Sequence, residues 1–170
     1  LSEGTGHTAD KEEPWTGEEE AEALKEALDS VSDQNVFFQM NLFDSHDTPR
    51  LHNDKSIYDR NIYKGVVMAQ YMLPGMPNLY YGDEVSLGGV LGSNEGARYP
   101  MEWREEKWDE DMLSFHRAMG EARKEAWLGF SSYSVISLDE EAFAILRFVE
   151  GKAYVAVINR GEDREVEVPL

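Results

Sequence analysis

The sequence predicts an α/β fold of two strand–helix units, followed by the beginning of an antiparallel β domain. Two observations predict it. Helical and strand-like patterns alternate between residues 18 and 126, and after Gly129 the pattern changes to short alternating runs separated by turns. We place the boundary near residues 127–132, so that residues 1–130 form the α/β part and residues 131–170 the β part.

Three segments of the α/β part have apolar residues at helical spacing: Glu18–Ser30, Ile57–Leu73 and Asp111–Ala126. Two intervening segments are nearly continuous apolar runs of strand length: Asn35–Phe43 and Pro77–Tyr81. Such runs favour strands that are buried on both faces, as in parallel sheets. The predicted order is therefore helix, strand, helix, strand, helix, and Pro74 with Gly75 ends the second helix.

The β part contains four short runs of alternating polarity: Ser134–Leu138, Phe143–Val149, Tyr154–Asn159 and Glu165–Val168. Acidic and glycine-containing turns separate these runs. We therefore expect antiparallel strands joined by hairpins.

Composition limits the classes of partner. Of the 170 residues, 41% are hydrophobic and 29% are charged, which is typical of a globular chain. No apolar run reaches the length of a membrane span. The formal net charge of -18 repels phosphate backbones and anionic membranes, so we expect neither nucleic acid nor a membrane as partner, whereas neutral sugars remain admissible.

The start of the sequence shows neither an initiating methionine nor a basic-then-apolar signal pattern. We therefore expect a fragment or a processed product. The absence of cysteine excludes disulfides and thiolate metal sites but fits several compartments, so a cytoplasmic and a secreted location both stay open.

The stretch Asn41–Arg50 places His46, Asp47 and Arg50 together where a predicted strand runs out into a loop. In strand–helix architectures this edge of the sheet is where active sites are built. A carboxylate beside a histidine and an arginine stays ionised, and can stabilise a cationic transition state or orient a sugar hydroxyl. Residue spacing alone also allows the simpler interpretation of a capped loop held by an ion pair.

Three motifs in compatible order resemble one family. Phe43–Arg50 resembles the strand-seven motif of the alpha-amylase family, glycoside hydrolase family thirteen. Gly75–Glu84 resembles the eighth strand of that family, and Ala97–Trp103 resembles the loop that follows it. The amino-acid sequence of Ser45–Arg50 is most similar to that of the neopullulanase, cyclomaltodextrinase and maltogenic amylase group. The resemblance implies the carboxyl-terminal part of a (β/α)8 TIM barrel, about strands seven and eight with their helices, followed by a small β domain.

Residue by residue, the resemblance implies that Asp47 is the carboxylate that stabilises the transition state and holds sugar hydroxyls. It implies that His46 hydrogen bonds to the same glucose unit, and that Arg50 and Arg98 bind substrate or brace the cleft. Four aromatic residues either stack on sugars or simply pack: Tyr80, Tyr81, Trp103 and Trp108. Asp83 and Glu84 are expected to be loop or helix-capping acids.

Retaining glycosidases also need a nucleophile and a separate acid or base, with carboxyl groups roughly 5 to 5.5 Å apart. The resemblance places both on earlier strands, for which this sequence has no matching position, and Asp44 is expected to point away from Asp47. We therefore predict part of a retaining hydrolase that acts on α-glucans such as starch, maltooligosaccharides and cyclodextrins, and that is inactive when isolated. Its expected partners are an α-glucan oligosaccharide and either the missing N-terminal portion or another copy.

Two other function classes stay open. The first is a non-catalytic carbohydrate-binding or assembly module, and the second is a small α/β protein unrelated to sugars. No cluster of His, Asp and Glu has ligand-like spacing, so no cofactor or metal site is predicted. The resemblance allows calcium, but no residues for it are identifiable in this sequence.

Overall fold

The structure is a computed structural model that describes residues 15–53, 60–90, 95–125 and 130–170. It contains three α-helices: α1 (Gly17–Asp29), α2 (Arg60–Met72) and α3 (Glu110–Glu125). Its five strands are β1 (Met40–Leu42), β2 (Met76–Asn78), β3 (Ser132–Ser137), β4 (Ala142–Val149) and β5 (Lys152–Asn159). The predicted alternation of helix and strand is confirmed. Residues 57–59 of the predicted second helix and Ala126 of the third lie outside the described residues.

The α/β part is centred on a short parallel pair. Strands β1 and β2 run parallel in the register Met40 to Met76 and Leu42 to Asn78, and α2 lies between them in the chain. The Gln70 amide of α2 donates to the Asn41 carbonyl at 3.0 Å and to the Asn78 carbonyl at 2.8 Å, which fixes the helix against both strands. This is the geometry of one βαβ unit.

The strand predicted over Asn35–Phe43 is wrong over its first half. Residues Asn35–Phe38 form a 3-10 helix, in which Val36 is buried in the core, Phe37 packs against the core and Phe38 remains exposed. The predicted burial of both strands is also wrong for this chain: Met40 is 60% exposed and Met76 is 53% exposed. A two-stranded pair leaves an outer edge and face of each strand without a neighbour, and no other described strand pairs with them.

The β part is an antiparallel meander in the order β3, β4, β5. Gly151 in the turn between β4 and β5 has a φ of 73°, a left-handed conformation that favours glycine. The fourth predicted strand, Glu165–Val168, is wrong, since these residues are described without strand structure. Two apolar residues in a charged segment provide too little apolar surface to hold a strand on the sheet.

One hydrophobic core joins the two parts of the chain. Helix α1 begins at a capping box formed by Thr16 and Glu19, and lies on β3 and β4. The core cluster draws on α1, the end of α2 and all three strands of the meander: Ala21, Leu28, Val36, Met72, Leu73, Val135, Phe143, Ile145 and Ala156. The predicted division at residue 130 therefore falls across a shared core, and that division stays a prediction. Within the described ranges, no helix is both long and apolar enough to cross a bilayer.

Candidate active site

The candidate active site is formed by three loops. The first loop (residues 43–50) follows β1, the second loop (residues 79–87) follows β2, and the third loop (residues 95–108) leads to α3. Since β1 and β2 are parallel, their carboxyl ends open on the same edge of the sheet. In parallel α/β architectures this edge carries the functional residues.

Asp47 lies at the surface of the first loop, and each oxygen of its carboxylate lies near one side-chain nitrogen. Arg98 Nη2 donates to Asp47 Oδ1 at 3.0 Å, and His46 Nε2 lies 3.1 Å from Asp47 Oδ2. Arg98 Nε also donates to the His46 carbonyl at 2.8 Å. All three side chains are more than half exposed. The structure thus brings together three of the four residues predicted for the site and leaves them open to a ligand.

Arg50 occupies a different environment, with 1% exposure. Its guanidinium donates to Asp83 Oδ1 at 2.8 Å, to the Tyr81 carbonyl at 2.7 Å and to the Ala97 carbonyl at 3.3 Å. The Tyr80 and Tyr81 rings lie over it, each with its centroid 4.8 Å from the guanidinium carbon. Of the two roles predicted for Arg50, these contacts are those of a brace, and a substrate would reach this side chain only if the loops separated.

Two buried carboxyl groups lie beside this guanidinium. Asp44 accepts a hydrogen bond from the Leu51 amide at 2.9 Å, and Asp83 pairs with Arg50. Burial and then the neighbouring Asp44 carboxyl raise the pKa of Asp83 to about 9, although Arg50 acts in the opposite direction.

Asp83 is the residue whose importance the sequence did not reveal. It was expected to be a loop or capping acid, whereas the structure shows it as the buried partner of an arginine 33 residues away. No local spacing marks such a pair. Asp44 is buried whereas Asp47 is exposed, and both residues lie in the loop after β1 and not on the strand itself.

The aromatic residues of these loops divide into packing and exposed groups. Trp108 donates its indole N–H to the Glu102 carbonyl at 2.6 Å, and Tyr80 donates its hydroxyl to the Ala97 carbonyl at 3.0 Å. Trp103 is 78% exposed, and Tyr81 and Tyr99 are partly exposed as well. Among the described residues no group of three or more metal-ligating side chains is assembled.

Parallel strands with an exposed carboxylate at their carboxyl ends are the arrangement in which (β/α)8 barrels carry their active sites. The model of the alpha-amylase catalytic domain matches residues 5–134. The chain belongs to the alpha-amylase family, glycoside hydrolase family 13, whose catalytic domain is a TIM barrel. This confirms the family and the enzyme class that the motifs predicted.

Similar proteins support this assignment. The chain is 32% identical over 147 residues to a cyclomaltodextrinase of Thermoanaerobacter pseudethanolicus, which covers 85% of this chain and 24% of that protein. It is 43% identical over 79 residues to a cyclomaltodextrinase of a Bacillus species, covering 46% and 14%. A cyclic alpha-maltosyl-(1-->6)-maltose hydrolase from Arthrobacter globiformis superposes with a TM-score of 0.79 at 27% identity, covering 87% of this chain and 33% of that one. The chain therefore spans a third or less of the length of these relatives.

Proposed function

We propose that this chain supplies strands seven and eight, with their helices, to the catalytic barrel of a retaining glycosidase that acts on α-glucans. The observation that carries the proposal is the exposed Asp47 carboxylate at the carboxyl end of a parallel strand. Asp47 lies in the first of the three motifs that resemble the family. The substrates we propose are starch, maltooligosaccharides and cyclomaltodextrins. The names of the similar cyclomaltodextrinases support that class.

In this proposal Asp47 stabilises the positive charge that develops on the sugar ring. The transition state of glycoside hydrolysis resembles an oxocarbenium ion, so a fixed anion near the ring lowers its free energy. His46 hydrogen bonds to the same glucose unit, and Arg98 binds substrate at the rim of the cleft. Both residues contact Asp47 in the structure, and a sugar hydroxyl that replaced either contact would bind at the same carboxylate.

The nucleophile and the acid or base would come from other strands of the barrel. Two carboxyls in the first and second loops, Asp44 and Asp83, are buried and bound to the Leu51 amide and to Arg50. Neither is free to attack a sugar or to protonate a leaving group. We therefore expect the isolated chain to release no reducing sugar from maltooligosaccharides, whereas a complete polypeptide, meaning this chain joined to the rest of its barrel, does so. Turnover by the isolated chain would contradict this division of roles.

An apolar surface on the α/β part supports a covering partner. The exposed apolar residues along and beside the two strands are Phe38, Met40, Leu42, Met76, Leu79 and Phe130. A groove of about 450 Å³ continues this surface between Gly75–Pro77 and Arg123. A free strand edge with apolar neighbours is prone to pair with another strand. We propose that the rest of the barrel covers it, and that the isolated chain self-associates.

Size-exclusion chromatography with light scattering tests this part of the proposal. We expect oligomers for the isolated chain at micromolar concentration. A stable monomer that stays soluble without any partner would contradict it.

A second function, sugar binding without chemistry, is favoured by one observation. Trp103 is largely exposed on the third loop, where Trp108 and Arg104 hold the neighbouring Glu102 in place. An exposed indole ring offers a large, flat apolar face against which a sugar ring can pack. Calorimetric titration with maltoheptaose, together with an activity assay of the complete polypeptide, separates the two functions, because binding without turnover favours the module.

A further inference from the structure

The contacts that hold the Asp47 carboxylate are too weak to fix its position. The Arg98 and His46 contacts are both solvent-exposed, and exposed ion pairs contribute little to holding a side chain in place. The backbone contacts of this loop are made with exposed hydroxyls of Ser45 and Thr48. A carboxylate that must hold its place within a fraction of an ångström needs support from residues beneath it.

Such support exists beneath the first loop. The Asp44 carboxylate accepts from the Leu51 amide at 2.9 Å, which closes the loop around Asp47 from both ends. Arg50, three residues after Asp47, is buried and reaches across to the second loop through Asp83 and the Tyr81 carbonyl. The Asp47 loop is therefore anchored at both ends by buried groups.

The same guanidinium also reaches the third loop. Arg50 Nη2 donates to the Ala97 carbonyl at 3.3 Å, and the next residue, Arg98, contacts both Asp47 and the His46 carbonyl. A chain of direct contacts thus runs from Asp83 through Arg50 and Ala97 to the arginine that binds Asp47. Since Asp83 and Arg50 are both nearly free of solvent, this chain is far less screened than the surface contacts.

We propose that Asp83 is a positioning residue of this site: through Arg50 it holds the first and third loops so that Arg98 and Asp47 meet. The effect of Asp83 on catalysis rests on the proposed function, whereas its effect on the two loops concerns this chain alone. We call Asp83, Arg50 and the Ala97 carbonyl the loop latch. Arginine suits it because one planar group donates to three acceptors in fixed directions.

The first test uses the chain itself. The Nε–H signal of Arg98 is followed by nuclear magnetic resonance in the unmodified chain and in the Asp83→Ala and Glu84→Gln variants. Glu84→Gln is the matched control, because it removes the charge of a neighbouring acid whose carboxylate accepts from the Gly82 amide and not from Arg50 among the described residues. We expect Asp83→Ala to move the Arg98 signal to the position of a free arginine and Glu84→Gln to leave it in place.

A second variant keeps this test decisive if Asp83→Ala does not fold. Arg50→Lys retains the positive charge and the pair with Asp83 but cannot reach three acceptors at once, so it should also release Arg98. An Arg98 signal that stays in place in a folded Asp83→Ala or Arg50→Lys chain would overturn the loop latch, whatever the function of the protein.

The second test measures activity in the complete polypeptide on maltooligosaccharide. We expect Asp83→Ala to lower kcat about tenfold to a hundredfold with KM changed less than threefold, since misplacement by about 1 Å can cost that much. Asp83→Asn should restore most of kcat, because its amide keeps an oxygen for Arg50 and a donor for Asp44. An Asp83→Ala variant that releases Arg98 but keeps full kcat would overturn the positioning role. If Asp47 itself has no role in catalysis, an Asp47→Asn variant stays active. That outcome would contradict the proposed function and not the loop latch.

Discussion

Arg147 provides the sharpest stability prediction, because it is a buried cation with no carboxylate in ion-pair distance among the described residues. It lies on β4 with no exposed surface and donates to the Met72 carbonyl at 2.6 Å and to the Ser131 carbonyl at 2.8 Å. Burial and then the nearby Arg123 lower the pKa of Arg147 to about 10. We predict that Arg147→Ala lowers the free energy of unfolding of the chain substantially.

The magnitude follows from two opposing effects. Two hydrogen bonds from a charged donor contribute about 1.5 to 3 kcal/mol each. Desolvation of the guanidinium offsets about 2 to 3 kcal/mol of that, and the carbonyls left without a partner cost about 1 to 3 kcal/mol. The expected net loss for Arg147→Ala is therefore about 1 to 7 kcal/mol. Arg147→Met keeps the apolar stem and removes the buried charge, so its expected loss is smaller, about 1 to 2 kcal/mol.

Urea unfolding followed by circular dichroism measures these differences. Arg164→Ala is the matched control, because Arg164 forms surface ion pairs with Asp139 and Glu141 that should contribute less than about 1 kcal/mol. An Arg147→Ala chain within 0.5 kcal/mol of the unmodified chain would refute the reasoning.

Three further predictions concern pH, backbone and association. Burial lowers the pKa of His116 to about 4, so the unfolded chain binds more protons than the folded chain between about pH 6.5 and 4. The free energy of unfolding should therefore fall as the pH is lowered through that window. His116→Leu should flatten the fall in the urea midpoint, whereas His46→Gln, at an exposed histidine, should not. Gly82 has a φ of 87°, and an added Cβ would lie 2.6 Å from the Leu87 side chain. Gly82→Ala should therefore lower the free energy of unfolding, measured in urea, by about 2 kcal/mol or more. Gly151→Ala, at positive φ but in open space, should lower it by about 1 kcal/mol. Met40→Lys should shift the isolated chain toward monomer in light scattering, and an unchanged oligomer distribution would place the contact elsewhere.

The helices were predictable from the sequence because apolar periodicity reports a buried face directly. The α1 and α3 segments begin and end within one residue of the predicted bounds. The first predicted strand failed because a continuous apolar run has no period that separates a strand from a 3-10 turn. Residues Phe37 and Phe38 pack against the Phe130 ring, with centroids 6.3 and 6.1 Å apart, and this tertiary contact has no local sequence pattern.

The candidate site also has a part that the sequence predicts and a part that depends on tertiary contacts. His46 and Asp47 were predictable because they stand together in one motif at the end of a strand. The Arg98 contact to Asp47 spans 51 residues, and the Arg50 pair with Asp83 spans 33, so both depend on how three loops meet. Motif order suggested Arg98 but gave no reason to choose Asp83 over Glu84. Only the buried position of the Arg50 guanidinium distinguishes the two acids.

The most direct test of the proposed function is the kcat of an Asp47→Asn variant of the complete polypeptide on a cyclomaltodextrin. A carboxylate that stabilises the charged transition state should be worth about a hundredfold or more in kcat, with little change in KM and no change in the melting curve. A variant that keeps kcat within tenfold of the unmodified enzyme would contradict the role assigned to Asp47.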